Sequence, residues 1–103
     1  MLNAAPARLT QKSLDHIIAR HWFTSGAKGA GKFSQGMTGK QLKSMINQTT
    51  TKGAFRPNTL GRPGTIAEYN FGRTIGTNIN GGAASNLRVV IGPNGNVITA
   101  FPF

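Results

Sequence analysis

The C-terminal stretch LRVVIGPNGNVITAF limits the folds open to this chain more than any other part of the sequence. LRVVI (87–91) and NVITAF (96–101) are rich in β-branched residues, which favour β-strands. Between them, GPNGN contains Asn94-Gly95, a dipeptide typical of tight hairpin turns. The sequence therefore predicts two antiparallel strands at this end, and the rest of the chain must build a sheet around them.

The first half of the chain shows helical rather than strand periodicity. We predict a helix from about Thr10 to Phe23, with Thr10 or Ser13 as its N-cap. Residues at helical spacing form its buried stripe: Leu14, Ile17, Ile18, His21 and Trp22. A second helix is predicted to begin at Thr38, where Gln41 completes a capping box. Its short apolar face consists of Leu42, Met45 and Ile46.

The segments between and after the helices carry glycine and proline. Residues 24–36 are predicted to form a glycine-rich loop, and residues 49–64 a loop or irregular strands. TIAEYNFG (65–72) and RTIGTNI (73–79) look like strands, each interrupted by glycine. Helices first and strands later indicate an α+β fold, with N-terminal helices packed on one face of a twisted antiparallel β-sheet.

The length of 103 residues fits a single domain with one modest core. We expect residues 1–9 to be a flexible N-terminal segment and residues 10–103 to form the domain. No apolar run approaches the roughly 20 residues that a membrane helix needs, so no membrane insertion is expected.

The charge of the chain is strongly one-sided. Twelve Lys and Arg residues stand against two Asp and Glu residues, which gives a formal net charge of +10. Such an imbalance is typical of proteins that bind a polyanion, and nucleic acid is favoured over a membrane because the basic residues line no helix face. Phe55, Tyr69 and Phe71 lie among the basic residues and are candidates for stacking on bases.

The missing residue types exclude several kinds of chemistry. With only Asp15 and Glu68 as acids, the chain cannot supply the carboxylates of a two-metal nuclease or of a glycosidase. The absence of cysteine excludes thiolate nucleophiles and cysteine zinc sites. An enzyme of this composition must therefore rely on histidine, lysine, arginine, threonine and tyrosine.

The stretch LDHIIARHW (14–22) holds both histidines of the chain, together with Asp15. On a helix, His16 and His21 lie about 140° apart, so they share a cleft only if the helix runs along its rim. The alternative for His21 is a core histidine with one hydrogen bond. For His16 it is a surface residue that pairs with Asp15 or caps the helix. A zinc site is disfavoured, because this spacing suits two ligands poorly and no third ligand is evident.

Several short motifs resemble those of a known family. HIIARH (16–21), GKF (31–33), a short helix and a final hairpin ending in VITAFP (97–102) resemble the bacterial EndoU-type ribonuclease toxins. These belong to the barnase–EndoU–colicin–RelE (BECR) group found in polymorphic and contact-dependent inhibition effectors. The bacterial ribonuclease A-like toxins are similar in layout. The resemblance covers residues 14–48 and 87–102, and it implies a BECR-like fold.

The resemblance also implies roles for individual residues. The catalytic set it implies is His16, His21, Lys32 and Thr99. Where the family often has tyrosine, this chain has Phe101, which leaves a stacking role and no hydroxyl. The substrate-binding residues we expect are Arg20, Lys28, Arg73, Tyr69 and Phe101. Lys28 is a possible substitute for Lys32.

RNA cleavage suits this set of residues. The 2′-hydroxyl of RNA is its own nucleophile, so cleavage needs only a base, an acid and cations near the phosphate. Histidine serves as base or acid near neutral pH, and no metal or cofactor is required. We therefore predict a metal-independent endoribonuclease that acts on RNA, with transfer RNA as one candidate, and leaves 2′,3′-cyclic phosphate and 5′-hydroxyl ends. Which histidine is the acid stays open.

The toxin resemblance carries further expectations about context. It implies delivery as part of a larger secreted effector, action in the cytoplasm of a target cell, and an acidic immunity protein that restrains the enzyme in its producer. Two alternatives remain. One is a non-enzymatic basic module that binds RNA or DNA, and the other is a metal-dependent histidine nuclease.

Overall fold

Both predicted helices and the C-terminal hairpin are present in the computed structural model, which describes residues 7–58 and 64–103. Within these ranges the elements are α1 (Gln11–His21), β1 (Lys32–Phe33), α2 (Gly39–Lys52), β2 (Ala54–Pro57), β3 (Thr65–Asn70), β4 (Gly76–Thr77), β5 (Ala83–Ala84), β6 (Asn86–Ile91) and β7 (Val97–Pro102). The α+β class predicted from the sequence is confirmed.

The strands form two antiparallel sheets rather than the single sheet that was predicted. The larger sheet has the order β2-β3-β6-β7, and a small second sheet has the order β1-β4-β5. The strand predicted over residues 73–79 is reduced to the two residues of β4. It ends there because Asn78 begins a turn, in which its backbone amide donates to the carbonyl of Gly82 at 2.8 Å. The strands β1, which lies inside the predicted loop 24–36, and β5 were not predicted.

The main core lies between the helices and one face of the larger sheet. In the register of this sheet, Ala67, Val89 and Ala100 lie side by side on three neighbouring strands, and all three are fully buried. They share one apolar cluster with residues of both helices: Ile17, Leu42, Met45 and Ile46. Both helices therefore cover the same face of this sheet, as predicted.

The first helix is shorter and less buried than predicted. Thr10 is its N-cap, as expected, and its hydroxyl accepts a hydrogen bond from the amide of Ser13 at 3.1 Å. The helix ends at His21, because Trp22 already has an extended backbone. Ile18, predicted as part of the buried stripe, is 44% exposed, so the buried face of α1 is narrower than the spacing suggested.

The second helix has the predicted capping box at Thr38 and Gln41. It continues to Lys52, whereas the sequence predicted a loop from residue 49. The hydroxyls of Thr49 and Thr50, both buried, donate to backbone carbonyls one helical turn earlier, at 2.8 and 3.0 Å. These bonds satisfy the hydroxyls inside the core, so the threonines do not end the helix.

The C-terminal hairpin contains two local irregularities. Its turn has a three-residue loop closed by a hydrogen bond from the amide of Gly92 to the carbonyl of Asn96 at 2.8 Å. Gly95 has a φ of 85°, the left-handed conformation that this loop requires and glycine adopts without strain. The register shifts by one residue between Val90 and Ile91, so β7 contains an extra residue, Ile98.

The N-terminal segment joins the hairpin before the first helix begins. Residues 1–6 of the predicted flexible segment lie outside the described residues. Arg8 forms a parallel bridge with Asn96, and its backbone bonds to Gly95 and Val97 at 3.0 and 2.8 Å. Arg8, which was predicted to be flexible, is therefore part of the fold. Among the described residues, no helix has both the length and the apolarity needed to span a bilayer.

The small sheet meets the end of β7 at close range. A Cβ atom on Gly31 would lie 2.2 Å from the carbonyl oxygen of Pro102 and 3.1 Å from that of Thr77. A side chain at this position cannot be accommodated without moving backbone, so glycine is required by the close approach. The approach also places the carbonyl of Gly31 beside the end of α1, within hydrogen-bond distance of His21.

Candidate functional site

Helix α1 lies along the edge strand β7, and a cavity of about 530 Å³ opens between the start of α1 and the hairpin, where it is lined by His16, Val97 and Ile98. At one end, the hydroxyl of Ser13 donates a hydrogen bond to the carbonyl of Val97. At the other end, the ring of His21 stacks on the ring of Phe101, with centroids 5.1 Å apart and planes 26° apart. Helix and strand therefore run in the same direction, and Thr99 lies between these two contacts. We call this region the α1–β7 groove.

The two histidines come together in the groove. Their ring centroids are 6.0 Å apart in an edge-on arrangement, although their positions on α1 differ by about 140°. Helical side chains lean toward the helix N-terminus, which lets His21 reach back toward His16. His21 is buried, with 6% exposure, whereas His16 is exposed. The two rings therefore lie close together, but only His16 lines the cavity, and His21 is a buried histidine with one hydrogen bond.

One nitrogen of His21 is fixed by the backbone. Its Nδ1 lies 2.9 Å from the carbonyl oxygen of Gly31. A carbonyl can only accept, so Nδ1 carries the proton and Nε2 is the basic nitrogen. His16 has no hydrogen-bond partner among the described residues, and Asp15 instead accepts from Gln11 at 2.8 Å. The pair of His16 and Asp15, one form of the surface alternative for His16, therefore does not form.

Burial lowers the pKa of His21 below its usual value of 6.5. The hydrogen bond to Gly31 opposes this effect, while the nearby positive charges of His16, Arg20 and Lys32 add to it. The net effect favours the neutral ring, whose basic nitrogen is Nε2.

The stability of the fold should fall as the pH is lowered below about 6.5. Protonation of His21 is disfavoured only in the folded chain, so the unfolded state binds more protons there and is favoured. The contribution is fully present above the unfolded pKa and is lost as the pH falls toward the folded pKa. Chemical denaturation at about pH 8 and about pH 5 measures the difference, which should shrink in His21→Gln. An unchanged difference in that variant would contradict the assignment to His21.

Thr99 carries an unpartnered hydroxyl. Its Oγ1 is buried and has no hydrogen-bond partner among the described residues. A buried hydroxyl without a partner costs about 1–3 kcal/mol, and most buried polar groups in proteins are paired. Contact with a ligand phosphate requires rotation of this side chain or a shift of the atoms that cover it.

Lys32, predicted as catalytic, directs its ammonium group toward the glycine-rich loop. Its Nζ donates to the carbonyl oxygens of Ala27 and Ala30, the latter at 3.3 Å. Lys32 thus holds the loop together, and its charge still acts on His21 from a distance. Lys28, on the same loop, is exposed and free of hydrogen-bond partners among the described residues.

Of the predicted substrate-binding residues, the structure brings two to the groove. Phe101 stacks on His21, and Arg20 follows His16 by one helical turn at the exposed end of α1. Arg73 instead lines a separate cavity of about 310 Å³ beside α2, together with Phe71. Tyr69 packs edge-on against Phe71 at 5.0 Å. Like Phe71, Phe55 packs against the core, so neither ring is free to stack on a base in the groove.

Arg88 lies beside the groove and was not among the predicted residues. By strand register it pairs with Phe101 and faces away from the helices. The alternation of LRVVI already predicts that the side chain of Arg88 lies on the sheet face opposite to that of Leu87 and Val89. What the sequence did not reveal is its partner across the hairpin, because the register depends on the extra residue Ile98.

Among the described residues, no three His, Asp or Glu side chains lie close enough together to hold a metal ion. The chain matches no protein-family model, no curated protein and no solved structure.

Proposed function

We propose that the chain is a metal-independent endoribonuclease, of the kind found in BECR-type bacterial toxins. The observation that carries the proposal is the pair of histidine rings 6.0 Å apart in a groove beside Phe101, on a chain with a net charge of +10. Two imidazoles near one phosphate supply the base and the acid that RNA cleavage needs. Transfer RNA is one candidate substrate.

The proposed reaction is an attack of the ribose 2′-oxygen on the adjacent phosphorus, which breaks the bond to the 5′-oxygen. One histidine takes the 2′-hydroxyl proton, and the other gives a proton to the departing 5′-oxygen. His21 suits the first role because its neutral ring is favoured and Nε2 is the basic nitrogen of that ring. His16 then serves as the acid. The ring of Phe101 stacks on His21 and helps to hold it in place.

Product analysis tests this proposal. Incubation with total RNA in the presence of EDTA should give fragments with 2′,3′-cyclic phosphate and 5′-hydroxyl ends. An RNA with 2′-deoxyribose at the scissile nucleotide should resist, because the internal nucleophile is missing. Cleavage of the deoxy substrate, or complete inhibition by EDTA that added metal reverses, would refute the mechanism. Protection of RNA without cleavage would support the alternative of a non-enzymatic binding module.

Thr99→Val should separate stability from activity. Valine removes an unpartnered hydroxyl, so the free energy of unfolding should rise by about 1 kcal/mol. If the hydroxyl donates to the phosphate during reaction, cleavage should fall by about a hundredfold. Thr99→Ser, which keeps the hydroxyl, is the matched control and should stay within about tenfold of the parent. Unchanged cleavage by the valine variant would mean that Thr99 has a structural role in the strand and no role in cleavage.

The proposal includes an acidic immunity protein and delivery within a larger secreted effector to the cytoplasm of a target cell. A chain with a net charge of +10 attracts carboxylates, and opposite fields accelerate association. Arg20 and Lys28 are exposed at the end of α1 and on the adjoining loop, where such a partner would cover the groove. Charge reversal at both positions should weaken the complex, and unchanged affinity would argue against this surface.

A further inference from the structure

The face of the larger sheet that points away from the helices carries an arginine held in one orientation. The Nε of Arg88 donates to Oε2 of Glu68 at 2.5 Å. Its guanidinium carbon lies 4.4 Å from the ring centroid of Phe103 and 5.7 Å from that of Phe101. Phe103 is itself fixed, since it exchanges two backbone hydrogen bonds with Asn86 at 2.9 and 3.2 Å.

Glu68 forms salt bridges with two arginines. Its Oε2 also accepts from Arg56 at 3.1 Å. Partial burial alone would raise the pKa of Glu68, but the hydrogen bonds and charges of Arg88 and Arg56 outweigh it and lower the pKa below its usual value. The carboxylate therefore stays ionised and anchors Arg88 through one nitrogen.

The terminal nitrogens of Arg88 are left without hydrogen-bond partners among the described residues. Its side chain is 26% exposed, so these donors are accessible. A guanidinium anchored at Nε and stacked on aromatic rings presents a fixed pair of NH₂ groups, which matches the oxygens of a phosphate. Arg88 and His21 lie near the same ring, since the centroid of Phe101 is 5.7 Å from the guanidinium carbon of Arg88 and 5.1 Å from the ring centroid of His21.

We propose that Arg88 binds a backbone phosphate of the RNA next to the phosphate that is cleaved in the α1–β7 groove. This inference rests on the proposed function and adds a subsite that fixes the strand across Phe101. It also supplies the fixed cation that Lys32 does not, since the ammonium group of Lys32 is bound to loop carbonyls. Arg88, unlike the exposed lysines, is oriented before RNA binds, which lowers the entropy lost on binding.

The test uses a short RNA with 2′-O-methyl ribose throughout, which binds but lacks the free hydroxyl needed for cleavage. Arg88→Gln should weaken its binding about tenfold at low salt and reduce the slope of log affinity against log salt by about 0.7. Arg56→Gln is the matched control. It also removes one positive charge that pairs with Glu68, but Arg56 contacts no aromatic ring in the described chain. Its binding should weaken by about twofold at most.

The outcomes are distinct. Equal weakening in both variants would mean that only net charge matters, and no weakening in Arg88→Gln would mean no contact, so either result overturns the subsite. If Arg88→Gln does not fold, the Nε–H resonance of Arg88 in the parent chain decides, because it should shift when the RNA is added and a stationary resonance refutes the contact. The chain could also bind this RNA tightly through Arg88 and yet cleave no RNA. That result would refute the proposed endoribonuclease activity but would support phosphate binding by Arg88.

Discussion

Replacement of His16 by alanine should reduce RNA cleavage by about a hundredfold to ten-thousandfold while the fold and the affinity for RNA stay nearly unchanged. The side chain is exposed and makes no hydrogen bond within the described chain, so little stability is lost with it. Its ring lies 6.0 Å from that of His21, so its loss removes one of the two proton-transfer groups. Single-turnover cleavage and thermal unfolding of the same preparation measure both effects.

Asp15→Asn is the control for His16→Ala. Asp15 is the neighbouring residue on α1, is exposed, and its carboxylate accepts a hydrogen bond from Gln11 at 2.8 Å. Cleavage by this variant should stay within about twofold of the parent. His21→Ala is less informative, because His21 is buried and bonded to Gly31, so its loss affects stability as well as activity. If His16→Ala cleaves as fast as the control, the clustering of the histidines is structural.

Gly31→Ala should be strongly destabilising. The new methyl group would lie 2.2 Å from the carbonyl oxygen of Pro102, so backbone must move on one side or the other. We expect a loss of about 3 kcal/mol, or a fall in Tm of about 10–25 °C. The shift also displaces the carbonyl that bonds Nδ1 of His21, so cleavage should fall at temperatures where the variant is still folded.

Gly26→Ala is the matched control in the same loop region. No atom lies within 4 Å of a Cβ built at Gly26, and its φ is outside the left-handed range. Its Tm should therefore stay close to that of the parent or rise slightly, because alanine restricts the unfolded chain. Equal Tm values for the two variants would show that Gly31 has room for a side chain beside Pro102.

Local signals predicted the parts of the fold that depend on neighbouring residues. The capping box at Thr38 and Gln41 and the hairpin at Asn94-Gly95 each act within a few residues, and both are present. The small sheet was missed because its strands have only two residues each, too few for any periodicity. That sheet forms through contacts between segments distant in sequence, such as Lys32 with Thr77, and no local pattern predicts these contacts.

The candidate site was also predicted only where local sequence determines it. Its two histidines were visible in the sequence as a cluster, and the wheel angle understated how closely their rings approach. The ammonium group of Lys32 binds carbonyls two and five residues earlier, a loop geometry that the glycine-rich sequence does not specify. Arg88 was missed because its position beside Phe101 depends on the hairpin register, which Ile98 shifts by one residue.

The strand order of the larger sheet has a consequence for self-association. An outer strand offers unpaired backbone groups to other chains, and proteins commonly block such strands. Along β7, Arg8 occupies one end and the close approach of Gly31 occupies the other. The opposite outer strand, β2, carries a charge at Arg56 and ends at Pro57, which lacks an amide donor. Any variant that displaces Gly31 should therefore lose stability and also become prone to pairing between copies.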